Sequence, residues 1–301
     1  MLRKGGGIVI KTPIKKLRDP FVLVENGVYY VYGTKIKSPD ITDTEYACYY
    51  NDSGLLQGEY KKVLNLYEKP KNALNCFWAP EVHKYNGAFY MFASYLSKKT
   101  NHRGVAIFKA DCPKGPFKEI TNGTITSPNF DAIDGTLYID EENKPWLVFV
   151  DEKTSREDGI GRMAVARLSD DLTKIITEPK ILFKSTDPVW SNGSRVTDGP
   201  FMHKTQNGTL YMLWSSGSKE GYCVGLAKSK NGKIDGDYEQ LEERLFVKGE
   251  LCENDGGHGM IFKAIDGKKY LSIHSPNASD SDQTPTFFEI YEENDKIYCK
   301  K

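Results

Sequence analysis

Four aspartates in this chain stand at or near the head of an apolar, aromatic-rich segment: Asp19 before Pro20-Phe21-Val22, Asp134 before Gly135-Thr136-Leu137, Asp198 before Gly199-Pro200-Phe201, and Asp255 before Gly256-Gly257. Carboxyl groups gathered from distant points of a chain can divide acid and base work. One protonates a leaving oxygen while another activates water or attacks carbon, which is what cleavage of a glycosidic bond requires. Like charges held close together also raise the pKa of one member, so that it keeps a proton near neutrality. Taken singly, each aspartate has a structural explanation as well, because Asp-Pro and Asp-Gly are ordinary turn openings.

Other side chains fit around such a centre. Phe77 and Trp78 offer flat apolar faces to a sugar ring, or alternatively fill space between strand layers. Loop residue Trp190 could border a distal subsite, whereas Trp214 falls within a strand and reads as core. Glu81 is a spare carboxylate that would support the pocket by hydrogen bonds; Glu220 and Glu253 are spares outside any repeat position. His258 is framed by glycines that permit close backbone approach. His83, His102, His203 and His274 show no metal-ligand spacing, which argues against a zinc hydrolase.

The elements that must carry these residues are visible as five copies of one phrase, in which a small or acidic element precedes a strand, a turn and an aromatic-rich strand. The copies begin near residues 19, 79, 134, 198 and 255, about 50 to 65 residues apart. That spacing suits a four-stranded blade, and radial repetition of blades makes a propeller. The chain therefore reads as all-β, a single five-bladed β-propeller. Asn26-Gly27, Asn86-Gly87, Asn207-Gly208 and Asp266-Gly267 mark hairpins as type I′ turns, with Glu142-Asn143 in the third copy.

Composition narrows the function. Lys+Arg and Asp+Glu both number 41, so no basic field exists to attract nucleic acid or an anionic membrane, and a neutral polar substrate fits. The six cysteines lack Cys-x-x-Cys spacing and read as free thiols. No apolar run is long enough to span a bilayer, and Met1 to Gly7 lacks the apolar core of a signal peptide. As written the chain is expected in the cytoplasm, or in the periplasm or medium if a signal has been removed. Nucleophile-elbow, phosphate-loop and dinucleotide fingerprints are absent, so no organic cofactor is expected.

Arg18-Asp19-Pro20, Phe77-Trp78-Ala79-Pro80-Glu81, Ala132-Ile133-Asp134-Gly135, Thr197-Asp198-Gly199-Pro200 and Gly256-Gly257-His258-Gly259 follow one another in an order that resembles glycoside hydrolase family 43, from about residue 17 to about residue 275. The resemblance implies an inverting glycosidase of α-L-arabinofuranosyl or β-D-xylosyl linkages in plant oligo- or polysaccharides. Asp19 would be the general base, and Asp134 would orient the acid and raise its pKa. The family places a glutamate as general acid in a Glu-Gly-Pro element; here Asp198 stands there, one methylene shorter. His258 resembles the family's axial histidine, which contacts a hydrated calcium or other small ion. With no residues left for a β-sandwich after the fifth blade, arabinan-directed activity is favoured over β-xylosidase activity. Oligomeric state is open, with a monomer favoured. A catalytically weak, carbohydrate-binding propeller is the alternative that the Asp198 substitution raises. A retaining fructosidase is a third, but its Trp-Met-Asn-Asp-Pro-Asn opening and Glu-Cys element are missing.

Overall fold

A computed structural model describes residues 8–278 and 282–300. Residues 1–7, on which the expectation of no export signal rests, lie outside that range. Runs rich in aromatic and β-branched residues, buried on both faces in the inner part of each sheet, form the strands, and they assemble into five antiparallel sheets. Four of the sheets run outward from the axis in sequence order and the fifth does so for its first three strands, so each is a blade. The inner and second strands are Leu17–Glu25 and Val28–Ile36, then Trp78–Tyr85 and Ala88–Leu96, then Ala132–Ile139 and Pro145–Asp151. Asp198–Lys204 with Leu210–Ser218, and Gly257–Lys263 with Lys269–Ser275, complete the set.

The fifth blade is closed by both ends of the described chain. Val9–Lys11 and Lys296–Cys299 pair side by side with the outer edge of Thr284–Glu293. Apolar side chains fill the wedges between blades; Tyr46, Phe77, Tyr95 and Phe108, for example, lie in one buried cluster joining the first two.

The hairpins differ in part from expectation. Asn26-Gly27 and Asn86-Gly87 are two-residue loops with both residues at positive φ, as a type I′ turn requires. At Asn207-Gly208 and Asp266-Gly267 only the glycine is left-handed. There the Gly208 N–H donates to Thr205 O and Thr205 N–H to Thr209 O, and Ala264 to Lys268 repeats the pattern. These are wider loops, a tight turn followed by one left-handed residue. Asp140 to Lys144 forms the same loop with Asn143 in the left-handed place.

All five inner strands carry a bulge near their start, between Arg18 and Phe21, Trp78 and Glu81, Ile133 and Thr136, Asp198 and Phe201, and Gly257 and Met260. The second residue of each bulge is left-handed: Asp19, Ala79, Asp134, Gly199 and His258, with φ between +46° and +55°. A bulge frees one residue from the ladder and re-aims its side chain. This corrects the repeat alignment read from the sequence. Asp19 and Asp134 are equivalent, but the fourth blade offers Gly199 at that position and the fifth offers His258. Asp198 lies one residue earlier, and Asp255 lies outside its strand.

Gly199 has a strict steric reason to be glycine. A Cβ there would sit 2.8 Å from the His258 ring and 3.0 Å from its Cα. Gly199→Ala is therefore expected to cost about 2–4 kcal/mol in denaturant unfolding, from the left-handed backbone and the overlap together. Gly27→Ala has the same backbone penalty but nothing within 4 Å, and should cost only about 1–2 kcal/mol. Equal losses would show that contact with His258 is irrelevant.

Candidate active site

Because the five bulges share one level of the propeller, their left-handed residues meet on the axis. Ala79 and Gly199 contribute little or no side chain, which leaves space for the other three. His258 Nδ1 lies 3.2 Å from Asp19 Oδ1 and 3.8 Å from Asp134 Oδ2. All three are buried, at 9%, 5% and 7% exposure for Asp19, Asp134 and His258.

Backbone amides at this level are held by the neighbouring blade. The Ala79 N–H donates to Thr34 Oγ1, Asp134 N–H to Ser94 Oγ, His258 N–H to Ser215 Oγ, and Asp19 N–H to His274 Nδ1. Thr34, Ser94, Ser215 and His274 are register partners of Arg18, Trp78, Asp198 and Gly257. In the third blade the partner of Ile133 is Val150, which has no acceptor. The Gly199 N–H turns instead to Asp134 Oδ2 at 3.0 Å. An apolar residue in one blade thus ties the Asp134 carboxyl to the strand that carries Asp198.

Further side chains, none of them picked out by the sequence, support each carboxyl. Thr34 Oγ1 donates to Asp19 Oδ2 at 2.6 Å. His274 accepts the Asp19 N–H at Nδ1, so its Nε2 carries the proton and donates to Asn277 Oδ1 at 3.0 Å. Arg18 Nη2 also donates to that oxygen at 3.0 Å. Burial, reinforced by the Arg18 charge, lowers the His274 pKa to about 3, which keeps the ring neutral as this bonding requires. Tyr222 donates its hydroxyl proton to Asp198 Oδ2 at 2.8 Å and stacks on the His274 ring.

The electrostatics separate the three aspartates. Burial alone would raise the Asp19 pKa, but the His258 charge and hydrogen bond, with Arg18, outweigh it and hold the carboxyl well below the usual range. Burial raises both Asp134 and Asp198. The Asp198 charge adds to the effect on Asp134 while His258 opposes it. This pair therefore keeps a proton above the range in which an isolated aspartate loses one. For His258, burial favours the neutral ring, yet Asp19 and Asp134 prevail and raise its pKa to about 10.

Asp19, Asp134, Asp198, Trp78 and His258 line one cavity of about 230 Å³, together with Arg18, Thr34, Glu152 and Lys153. Three residues expected to bind substrate do not line it. Phe77 packs against Tyr46, Tyr67 and Tyr95 in the inter-blade core, because neighbouring residues entering a strand face opposite ways and Trp78 takes the cavity side. Glu81 is buried beside His83, with Oε2 3.2 Å from Nε2. Trp190 lies on Trp214 at 5.1 Å and donates Nε1–H to Leu241 O, which makes it a cover for the fourth blade. Asp255 accepts the N–H groups of Tyr222 and Asn277 and so acts as a loop clamp. A larger groove, about 610 Å³, lies at the outer edges of the last two blades around Glu242, Arg244 and Tyr298, away from the axial carboxylates.

The ion expected at His258 would take most of its ligands from water. Calcium favours a shell of several oxygens. Among the described residues no three His, Cys, Asp or Glu side chains are disposed to hold a metal, and His258 Nδ1 is committed to Asp19. Between the two aspartates lies the His258 ring, whose pKa their charges raise to about 10 against the opposing effect of burial.

Similarity to known proteins agrees with this architecture. The endo-arabinase of Bacteroides thetaiotaomicron superposes with a TM-score of 0.82 at 33% identity, covering 95% of this chain and 98% of that one. A β-D-galactofuranosidase of Aspergillus niger is 21% identical over 85% of this chain and 72% of its own length. Extracellular endo-α-(1→5)-L-arabinanase 1 of Bacillus subtilis is 26% identical over 60% of this chain, which spans 54% of that enzyme. The model of glycosyl hydrolases family 43 matches residues 10–287, a span that takes in all five inner strands and every axial carboxylate. With the motif order, the ring of five blades and the family match in agreement, the chain belongs to glycosyl hydrolase family 43.

Proposed function

We propose that this glycosidase hydrolyses α-L-arabinofuranosyl linkages of arabinan or arabino-oligosaccharides, with Asp19 as general base, Asp198 as general acid and Asp134 as the group that orients and tunes the acid. Family 43 is an inverting family of O-glycosyl hydrolases, and its substrates are oligo- or polysaccharides. The furanose preference is supported by the arabinanases and the galactofuranosidase among its relatives, whose named sugars share a five-membered ring. β-D-Xylosyl linkages are the second reading.

One observation supports the mechanism: carboxyls with different partners face a single cavity, Asp19 beside the His258 ring and Asp198 under the Tyr222 hydroxyl. The ionised Asp19, fixed by Thr34 and His274, accepts a proton from water as that water attacks the anomeric carbon. Asp198, aimed by Tyr222, gives its proton to the departing oxygen. Asp134 is fixed through Gly199 N–H, one residue from the acid, and its negative charge disfavours ionisation nearby. Tyr222 supplies an anchor for the shorter aspartate, so a binding-only propeller is not favoured.

Asp19→Asn is expected to lower kcat by about 10³-fold or more on aryl α-L-arabinofuranosides. An aryl β-D-xyloside and an aryl β-D-galactofuranoside, assayed alongside, identify the glycone. Equal and negligible rates for wild type and variant on all three would end the proposal.

The pH profile follows from the same groups. Asp19 stays ionised well below the usual aspartate range, so the acidic limb of kcat/KM should lie below about pH 4. Activity should fall as pH rises through the elevated pKa of the Asp134–Asp198 pair, where the acid's proton is lost. Asp134→Asn removes the repulsion, lowers the Asp198 pKa and should move the alkaline limb to lower pH. An unmoved limb would show that Asp134 does not tune the acid.

Tyr222→Phe acts in the opposite direction. Its hydrogen bond stabilises the ionised carboxylate, so its loss should move the alkaline limb upward and reduce kcat by about tenfold through lost aim.

A further inference from the structure

Glu152 is a half-buried carboxylate at the cavity wall that the acid–base mechanism leaves unused. It follows the second strand of the third blade, and its backbone N–H is fixed to Asp131 O at 2.9 Å. Its side chain is 16% exposed and lines the same cavity as Asp198 and Trp78. Oε2 is occupied on the protein side: Arg103 Nη2 lies 2.6 Å away, and Thr154 Oγ1 is at 3.2 Å. Oε1 takes no bond from any described residue, although a carboxylate oxygen at a cavity wall is a strong acceptor.

The arrangement around Oε2 is rigid. Arg103 also donates from its backbone N–H to Asp131 Oδ1 and from Nη2 to Asp131 Oδ2, both at 2.8 Å. Its guanidinium lies over the Trp78 indole, 5.3 Å from the ring centre. Two carboxylates, one guanidinium and one indole thus form a fixed corner, with one acceptor oxygen left for a ligand.

We propose that Glu152 Oε1 accepts a hydrogen bond from a hydroxyl of the leaving-group sugar, with Arg103 as the residue that positions it and Trp78 as the adjoining apolar wall. Its side of the cavity follows from the neighbours. In an inverting site the base and the acid act at opposite faces of the scissile bond, and the acid lies beside the departing oxygen. Glu152 directly follows the strand Pro145–Asp151, which packs on the strand Asp198–Lys204 that carries the acid, and it feels the charge of Asp198 after burial and its nearer partners Arg103 and Asp131. Its 2.6 Å ion pair to Arg103 opposes the upward push that burial gives its pKa and favours the acceptor form. A site built to pair a hydroxyl discriminates strongly against a ligand lacking that group.

This inference rests on the glycosidase reading above, and the test separates the two. Wild type, Glu152→Gln and Glu152→Ala are compared on α-1,5-arabinobiose, whose leaving group is a sugar, and on methyl α-L-arabinofuranoside, whose leaving group is poor but has no further hydroxyls. The xylose analogues replace both if the wild type prefers that glycone. We expect kcat/KM for the disaccharide to fall about tenfold or more in Glu152→Ala, with a loss under about threefold on the methyl glycoside, which also reports that the variant is folded. Glu152→Gln, which keeps an amide oxygen at the wall, should fall between wild type and Glu152→Ala on the disaccharide. Parallel losses on both substrates would make Glu152 the proton donor or a structural group, and would overturn the proposal, as would unchanged disaccharide kinetics. A wild type inactive on either glycone would sink the function reading instead. Calorimetric titration with the two disaccharides would then decide: binding about tenfold weaker in Glu152→Ala supports the subsite, and equal binding overturns it.

Discussion

The site depends on one buried positive charge. Three carboxylates cannot all be desolvated around a small cavity without compensation, since each buried anion is costly and each repels the others. The His258 imidazolium lies between Asp19 and Asp134 and compensates unequally, closer to the first than to the second. Inequality is what makes the arrangement useful. A cation equidistant from all three would lower every pKa together and leave no proton donor, whereas this placement keeps Asp19 ionised while the Asp134–Asp198 pair holds a proton between them.

Geometry makes that placement possible. The repeated bulge brings one left-handed residue from each blade to the axis, and four of the five are residue types that tolerate such a backbone, two aspartates, a histidine and a glycine. Ala79 adopts it at a local cost that the surrounding packing sustains. The missing side chain at Gly199 is as important as the charged ones, because the imidazole ring occupies that volume.

Much of this was legible in the sequence, because blade repetition produces a visible period and turn residues carry local signals. Five blades, their order and the axial places of Asp19, Asp134 and His258 could be read from motif and spacing. The fourth and fifth positions were less clear. An aspartate before a glycine looks alike at Asp134 and Asp198, yet the bulge puts the first on the axis and the second one residue short of it. Which of Phe77 and Trp78 faces the cavity is set by strand alternation, and a one-residue uncertainty in the strand's start reverses the answer. His274, Tyr222 and Glu152 were missed because they act across blades. The hydroxyl-or-histidine pattern of Thr34, Ser94, Ser215 and His274 was present toward the end of four of the five second strands, but its meaning needed the cross-strand register.

The chain order of these contacts gives the enzyme a built-in timing. Asp19 belongs to the first blade, yet its amide and its charge are held by His274 and His258, which belong to the last blade. That blade is itself completed by Val9–Lys11 from the beginning of the chain. A nascent or unclosed propeller therefore holds the base without the groups that keep it aligned and ionised, and hydrolytic competence arises only when the two ends of the ring have met.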